Sequence, residues 1–304
     1  MAKLAEREDA PRQSPVAAAP ALAVQFFLIP LAVVGVLVLI YTGFRMMIED
    51  QRTAQDYLED IRYGGRERRW PAAYELSRLM ASDDVEAENP GLGPALVEAF
   101  GASSGDDPRV RRYLALAIGR LQAPPPGTVE TLLEAARESD AEVAISVIWA
   151  LGSIGDAAAV PGLIELYGSS DPAIRKVVIY ALGALDGTAQ VRTLRAALVD
   201  SVPDVQWNAA VALARHRDPS SIAVLRRMLD RDYVERLVTR TAPNEAQVDP
   251  VSDVMITGLQ AVGRLGDASL RDSVAALSRE DANLRVRQAA IEALEALERG
   301  TPRG

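Results

Sequence analysis

Val143–Asp156 reads VAISVIWALGSIGD and Val254–Asp267 reads VMITGLQAVGRLGD. Both run an apolar helical face into Ala-Leu-Gly or Ala-Val-Gly and close on Gly-Asp. Val110–Leu121 (VRRYLALAIGRL) and Ile174–Asp186 (IRKVVIYALGALD) repeat the pattern, and weaker copies begin at Arg68 (RRWPAAYELSRL), Val205 (VQWNAAVALARH) and Val286 (VRQAAIEALEAL). The interval is about 31 to 33 residues over most of this stretch, the size of one helix pair per repeat. Between copies lie second amphipathic segments, Thr128–Arg137 (TVETLLEAAR), Ala159–Tyr167 (AVPGLIELY) and Ser221–Leu229 (SIAVLRRML). One such pair cannot bury its apolar face alone, so stacking must build a continuous core. The reading is all-α: an α-solenoid of about seven helix pairs.

Local signals agree with the period. Asp107-Pro108 and Asp171-Pro172 supply a cap followed by proline at the first helical position, and Gly155-Asp156 and Gly266-Asp267 end one helix and open the next. Composition agrees as well, since 49% of the residues are hydrophobic, mostly Ala, Leu and Val, and only 5% are aromatic. The formal charge of −9 opposes general nucleic-acid binding, which needs clustered cations without an acidic excess. Cysteine is absent, which excludes disulfides, thiolate catalysis and Cys-based zinc sites.

The repeats resemble the bacterial HEAT-like repeat first described in phycobilisome lyases, over about Gln51 to Leu297. That resemblance implies a superhelical solenoid and leaves function open, because the family spans bilin lyases, deoxyhypusine-hydroxylase-like enzymes and plain scaffolds. An iron site of the hydroxylase type would need His-Glu pairs, and the chain has one histidine, His216. At the end of a repeat helix His216 reads as a C-terminal cap. Phosphate loops, His-Glu-x-x-His, Gly-x-Ser-x-Gly and EF-hand patterns do not occur, so no enzyme, cofactor, metal or small-molecule substrate is expected.

Ahead of the repeats, Ala21–Phe44 carries no charge. As one helix it would exceed the roughly 30 Å of a hydrocarbon core. The expected organisation is a disordered tail over 1–20, a transmembrane helix over 21–46, a juxtamembrane helix over 47–65 and the solenoid over 66–300. Ala32, Gly35 and Gly43 are the small residues through which such a span would contact a partner helix. Arginines following it, from Arg45 to Arg69, outnumber Lys3, Arg7 and Arg12 before it, which places the solenoid on the cytoplasmic side of a single-pass membrane protein.

Aligning the copies on the glycine of Ala-Leu-Gly exposes a ridge three and seven residues earlier, four apart on one helical face. It holds all three tryptophans: Trp70, Trp149 and Trp207, with Tyr74, Arg112, Lys176 and Tyr180. One turn on, the ridge carries Arg78, Arg120, Arg215 and Arg264. Tyr, Trp and Arg are the types that concentrate binding energy. Two readings stay open, a groove for a protein partner and large side chains filling gaps between repeats. A longer interval, about 231–250, inserts a segment in which Tyr233, Arg236 and Arg240 are candidate docking residues, against a solvated helical extension. The function expected is a membrane-anchored protein-binding scaffold whose partner is another membrane protein. The alternatives are an accessory subunit of a transporter or other membrane complex and a bilin-lyase-like enzyme.

Overall fold

The computed structural model describes residues 29–48, 52–82, 84–138, 140–238 and 249–300. The chain divides into two compact parts, Met1–Arg52 and Thr53–Gly304. In the first, the described element is α1 (Ile29–Ile48). Its charge-free portion runs from Ile29 to Phe44, about 24 Å at about 1.5 Å per residue, which falls short of the roughly 30 Å needed to span. Among the described residues no helix is long and apolar enough to cross a membrane. This corrects the expected transmembrane anchor and single-pass membrane localisation. The expected helix depended on residues 21–28, which lie outside the described residues, as does the tail over 1–20. The three small residues assigned to helix contact, Ala32, Gly35 and Gly43, are exposed, and neither glycine has a neighbour within 4 Å of an added Cβ.

The second part is built of helices among its described residues. In order they are α2 (Ala54–Tyr63), α3 (Arg66–Leu79), α4 (Asp84–Glu88), α5 (Leu92–Ala102), α6 (Pro108–Ile118), α7 (Thr128–Glu138) and α8 (Ala141–Ile154). Then come α9 (Val160–Leu166), α10 (Pro172–Ala184), α11 (Val191–Ala197), α12 (Pro203–Arg215), α13 (Ile222–Met228), α14 (Arg231–Leu237), α15 (Pro250–Leu265), α16 (Arg271–Glu280) and α17 (Leu284–Gly300). The motif helices α3, α6, α8, α10, α12, α15 and α17 pack each on the next, and each also packs on the helix that precedes it in its own repeat. The core runs along this row as one cluster, with Leu114, Ile148, Leu151, Ile179, Leu182, Leu213 and Leu259 fully buried.

The helix boundaries follow from the caps. Asp107, Asp140, Asp171 and Asp249 each accept a backbone N–H of the first turn, from Arg109, Glu142, Ala173 and Ser252 respectively. These carboxylates satisfy donors that the helix itself leaves unpaired. Gly155 and Gly266 end α8 and α15 at φ 77° and 74°, the left-handed region in which glycine has no Cβ to clash.

The inserted segment opens with α14, which packs on α13 and α15. Val234 is fully buried, and Arg231 is fastened at 2.8 Å to Asp281. Tyr233 is half-buried with the Arg227 guanidinium 5.7 Å from its ring centroid, and Arg236 is exposed. Arg240 lies outside the described residues.

One polar staple joins the fourth repeat to the fifth. Arg175 of α10 grips Asp200, in the turn between α11 and α12, through Nε and Nη2 at 3.0 Å each. Tyr167 Oη donates to the same carboxylate at 3.0 Å, and the Val202 N–H donates at 2.9 Å. The Arg175 hydrogen bonds, aided by those of Val202 and Tyr167, hold the Asp200 pKa down to about 2. Burial, then the bond to Asp200, pushes Tyr167 up to about 12. A carboxyl depressed in the folded state stabilises it above the unfolded pKa of about 4, and that stability drains away as pH falls toward 2. Asp200→Asn is therefore expected to flatten the acid limb of the stability curve by about 2 kcal/mol between pH 5 and 2. Urea midpoints measured at four pH values test this, and parallel curves for variant and parent would refute it.

Candidate functional site

The ridge lies on the motif helices, and its geometry begins with how closely those helices approach. A Cβ added to Gly119 would sit 2.8 Å from the Ala150 Cα, one on Gly152 would sit 2.9 Å from the Ala181 Cα, and one on Gly183 would sit 2.5 Å from the Ala212 Cβ. Small residues thus face small residues at each of these steps, and the side chains one and two turns earlier fill or bridge the space beside them.

Four of the expected ridge residues are spent on such bridges. Arg112 pairs with Glu142 of the next repeat at 2.7 Å, and Lys176 pairs with Asp204 at 2.6 Å. The arginine border divides. Arg120 donates to the Ser77 carbonyl of the preceding motif helix, and Arg215 donates to the Gly183 carbonyl at 3.1 Å. Arg78 pairs within its own helix with Glu75 at 3.0 Å, while Arg264 is exposed.

Three tryptophans do not make one aromatic strip. Trp207 is 7% exposed and belongs to the core, whereas Trp70 and Trp149 are half-buried. Trp70 carries the Arg109 guanidinium 4.5 Å from its ring centroid, and Asp107 holds that guanidinium with a contact of 2.6 Å. The same hydrogen bonds from Arg109 lower the Asp107 pKa to about 2. Exposed Tyr74 meets half-buried Tyr113 edge to face at 5.2 Å, with Arg78 above the Tyr74 ring.

The open part of the ridge is at α12 and α15, where the repeat bearing the extra helix α14 begins. Two adjoining clefts lie between these helices. The first, about 230 Å³, is lined by Trp207, Val211, Met228 and Val254, with Lys176 and Asp204 at its margin. The second, about 210 Å³, is lined by Tyr180, Val211, Arg215, Gln260 and Arg264. Asn208, Val211 and Thr257 line both, which makes them one groove. The structure therefore brings together Lys176, Tyr180, Trp207, Arg215 and Arg264 and leaves Trp70, Tyr74, Arg78, Arg112, Arg120 and Trp149 outside this groove.

Asn208 and Thr257 stand one residue beyond the ridge column, next to Trp207 and Ile256. Their signal in the sequence is position alone, one residue past the ridge column on α12 and α15. Met228, from a first helix, carried no sequence signal for the groove. Among the described residues no group of three or more His, Asp or Glu side chains could hold a metal ion.

Comparison with known proteins places this architecture. A model of HEAT repeats matches residues 94–183 and 160–242, across α5 to α14. No curated protein matches. Among solved structures, the complex of CpcE and CpcF of phycocyanin lyase from Nostoc sp. superposes with a TM-score of 0.51 at 18% identity, covering 82% of this chain and 96% of that one. An engineered protein superposes with a TM-score of 0.43 at 17% identity, covering 82% of this chain and 100% of that one. A designed armadillo repeat protein in complex with the peptide (KR)4 gives 0.41 at 15% identity, covering 81% and 100%. At 18% identity the likeness to the lyase complex is one of fold. With helix pairs stacked through glycine-alanine contacts, the chain carries HEAT repeats over residues 94–242.

Proposed function

We propose that the chain is a non-enzymatic scaffold that binds a protein partner, seating a segment of it in the groove between α12 and α15. The observation that carries this reading is the groove itself: an apolar floor of Trp207, Val211 and Val254 continuous with a polar wall of Tyr180, Gln260 and Arg264. Buried apolar anchors ringed by orienting polar groups are the chemistry of protein recognition. Repeat solenoids commonly present such surfaces on one face of the helix row.

A photo-crosslinking amino acid placed at Thr257, exposed in the groove, is expected to trap a discrete protein. The same probe at Glu134, exposed on the first helix of another repeat, is not. Equal adducts from both positions, or none from Thr257, would overturn the reading. With the trapped protein as ligand, Tyr180→Ala and Gln260→Ala are each expected to weaken binding about tenfold, or about 1.4 kcal/mol. Both side chains are exposed, Tyr180 at 47%, so melting should move by less than about 0.5 kcal/mol in stability.

A further inference from the structure

The turn that closes the motif helix takes the same form after α8 and α15, and the copy after α12 departs from it. After α8 it reads Ile154-Gly155-Asp156 and after α15 it reads Leu265-Gly266-Asp267, with both glycines at positive φ. Each aspartate accepts the backbone N–H two residues on, from Ala158 and Ser269, at 2.8 Å. After α12 the corresponding residues are His216-Arg217-Asp218, and Asp218 keeps its role by accepting the Ser220 N–H at 3.0 Å. Arg217, however, occupies the glycine position at φ 53°, the only non-glycine with positive φ among the described residues. An L side chain there is destabilised by its Cβ where glycine is at ease. A histidine has also replaced the apolar residue before it.

The two departures line one cleft. It measures about 660 Å³ and is bounded by Arg192 and Arg195 of α11 and by His216, Arg217 and Asp218 of the turn. Asp218 is the single carboxylate of the lining and is already committed, since it accepts Arg195 Nε at 2.8 Å and the Ser220 hydroxyl at 2.6 Å. Burial opposes its charge, yet the bonds from Ser220 and Arg195 hold its pKa below the usual carboxylate value, so it neutralises Arg195. Arg192 and Arg217 are exposed, and neither guanidinium has a hydrogen bond or ion pair among the described residues. His216 Nε2 is buried without a hydrogen-bond partner. Two unpaired guanidiniums thus share a cleft in a chain of net charge −9.

We propose that this cleft binds a phosphate monoester, with Arg192 and Arg217 each donating to its oxygens and the Arg195–Asp218 pair forming a neutral wall. Two free positive charges match a dianion, and the guanidinium fork fits the spacing of phosphate oxygens. The cleft is larger than a bare ion requires and leaves room for the esterified group. The left-handed Arg217 is strain retained at a binding site. The phosphoryl group comes from either of two sources, a free small phosphoester or a phosphorylated side chain of a protein, and its recognition chemistry is the same for both.

Isothermal titration of the full chain at low salt, with N-acetyl-phosphoserine amide and with a phosphoserine pentapeptide, tests the proposal against their unphosphorylated forms. Saturable binding of the phosphorylated probes alone is expected, weakened at least tenfold by Arg192→Gln and by Arg217→Gly. Tighter binding of the pentapeptide assigns the source to a protein, and equal binding assigns it to a small phosphoester. Arg217→Gly installs the residue that the turns after α8 and α15 carry, so its melting temperature should rise while its binding falls, and unfolding cannot explain the loss. Undiminished affinity in Arg217→Gly, or no binding of either phosphorylated probe by the parent chain, overturns the proposal.

Discussion

Leu182→Ala is expected to destabilise the repeat part by about 2–5 kcal/mol. Leu182 is fully buried on α10, which packs against both α8 and α12 in the middle of the helix row. Truncation removes the transfer free energy of the lost carbons and leaves a cavity between helices that small-residue contacts already hold close. Because each repeat in a solenoid touches only its neighbours, the damage should be local before it is global. Hydrogen exchange should accelerate first in α8, α10 and α12 and least in α3 and α17. Denaturant unfolding gives the magnitude, and a cost below about 1 kcal/mol would mean that the site collapses around the truncation.

The second large effect turns on one hydrogen atom of a glycine. Gly152→Val is expected to cost about 3 kcal/mol, and Gly152→Ala to be destabilising too, although alanine is the better helix former by about 1 kcal/mol. The reason is the neighbour. The added Cβ would stand 2.9 Å from the Ala181 Cα, which is backbone and cannot rotate aside, so α8 and α10 must separate. Gly101, inside α5 and exposed, has nothing within 4 Å of its added Cβ. The identical change there, Gly101→Ala, should stabilise by about 0.5–1 kcal/mol. Opposite signs in thermal unfolding are the expected result. Two stabilising substitutions would show that the helix row has more slack than its Gly–Ala contacts imply.

Much of the fold could be read before any coordinates, because its local signals and its period say the same thing. Val143–Asp156 shows both. Its apolar spacing marks a buried helix face, Asp140 caps the start, Gly155 turns left-handed at the end, and Gly152 stands where the next helix must pass. The first 50 residues were less legible. A charge-free run from Ala21 promised a span, and among the described residues no helix is long and apolar enough to provide one.

The site divides in the same way. Periodicity put Trp207, Tyr180 and Arg264 on one ridge, because residues four apart share a face whatever lies beside them. It could not tell that Trp207 sinks into the core or that Arg120 and Arg215 turn back onto carbonyls of the preceding repeat. Nor could it place the groove between α12 and α15, where the repeat with α14 begins, or the cleft that joins Arg192 to Arg217 across two helices. The sequence by itself determined the helix pairs, their caps and the face each one buries, since all of these depend on neighbours within a few turns. Only the tertiary structure decided which exposed side chains are used up in bridging repeats and where a gap remains, because a gap belongs to the spacing between two helices and is written in neither of them alone.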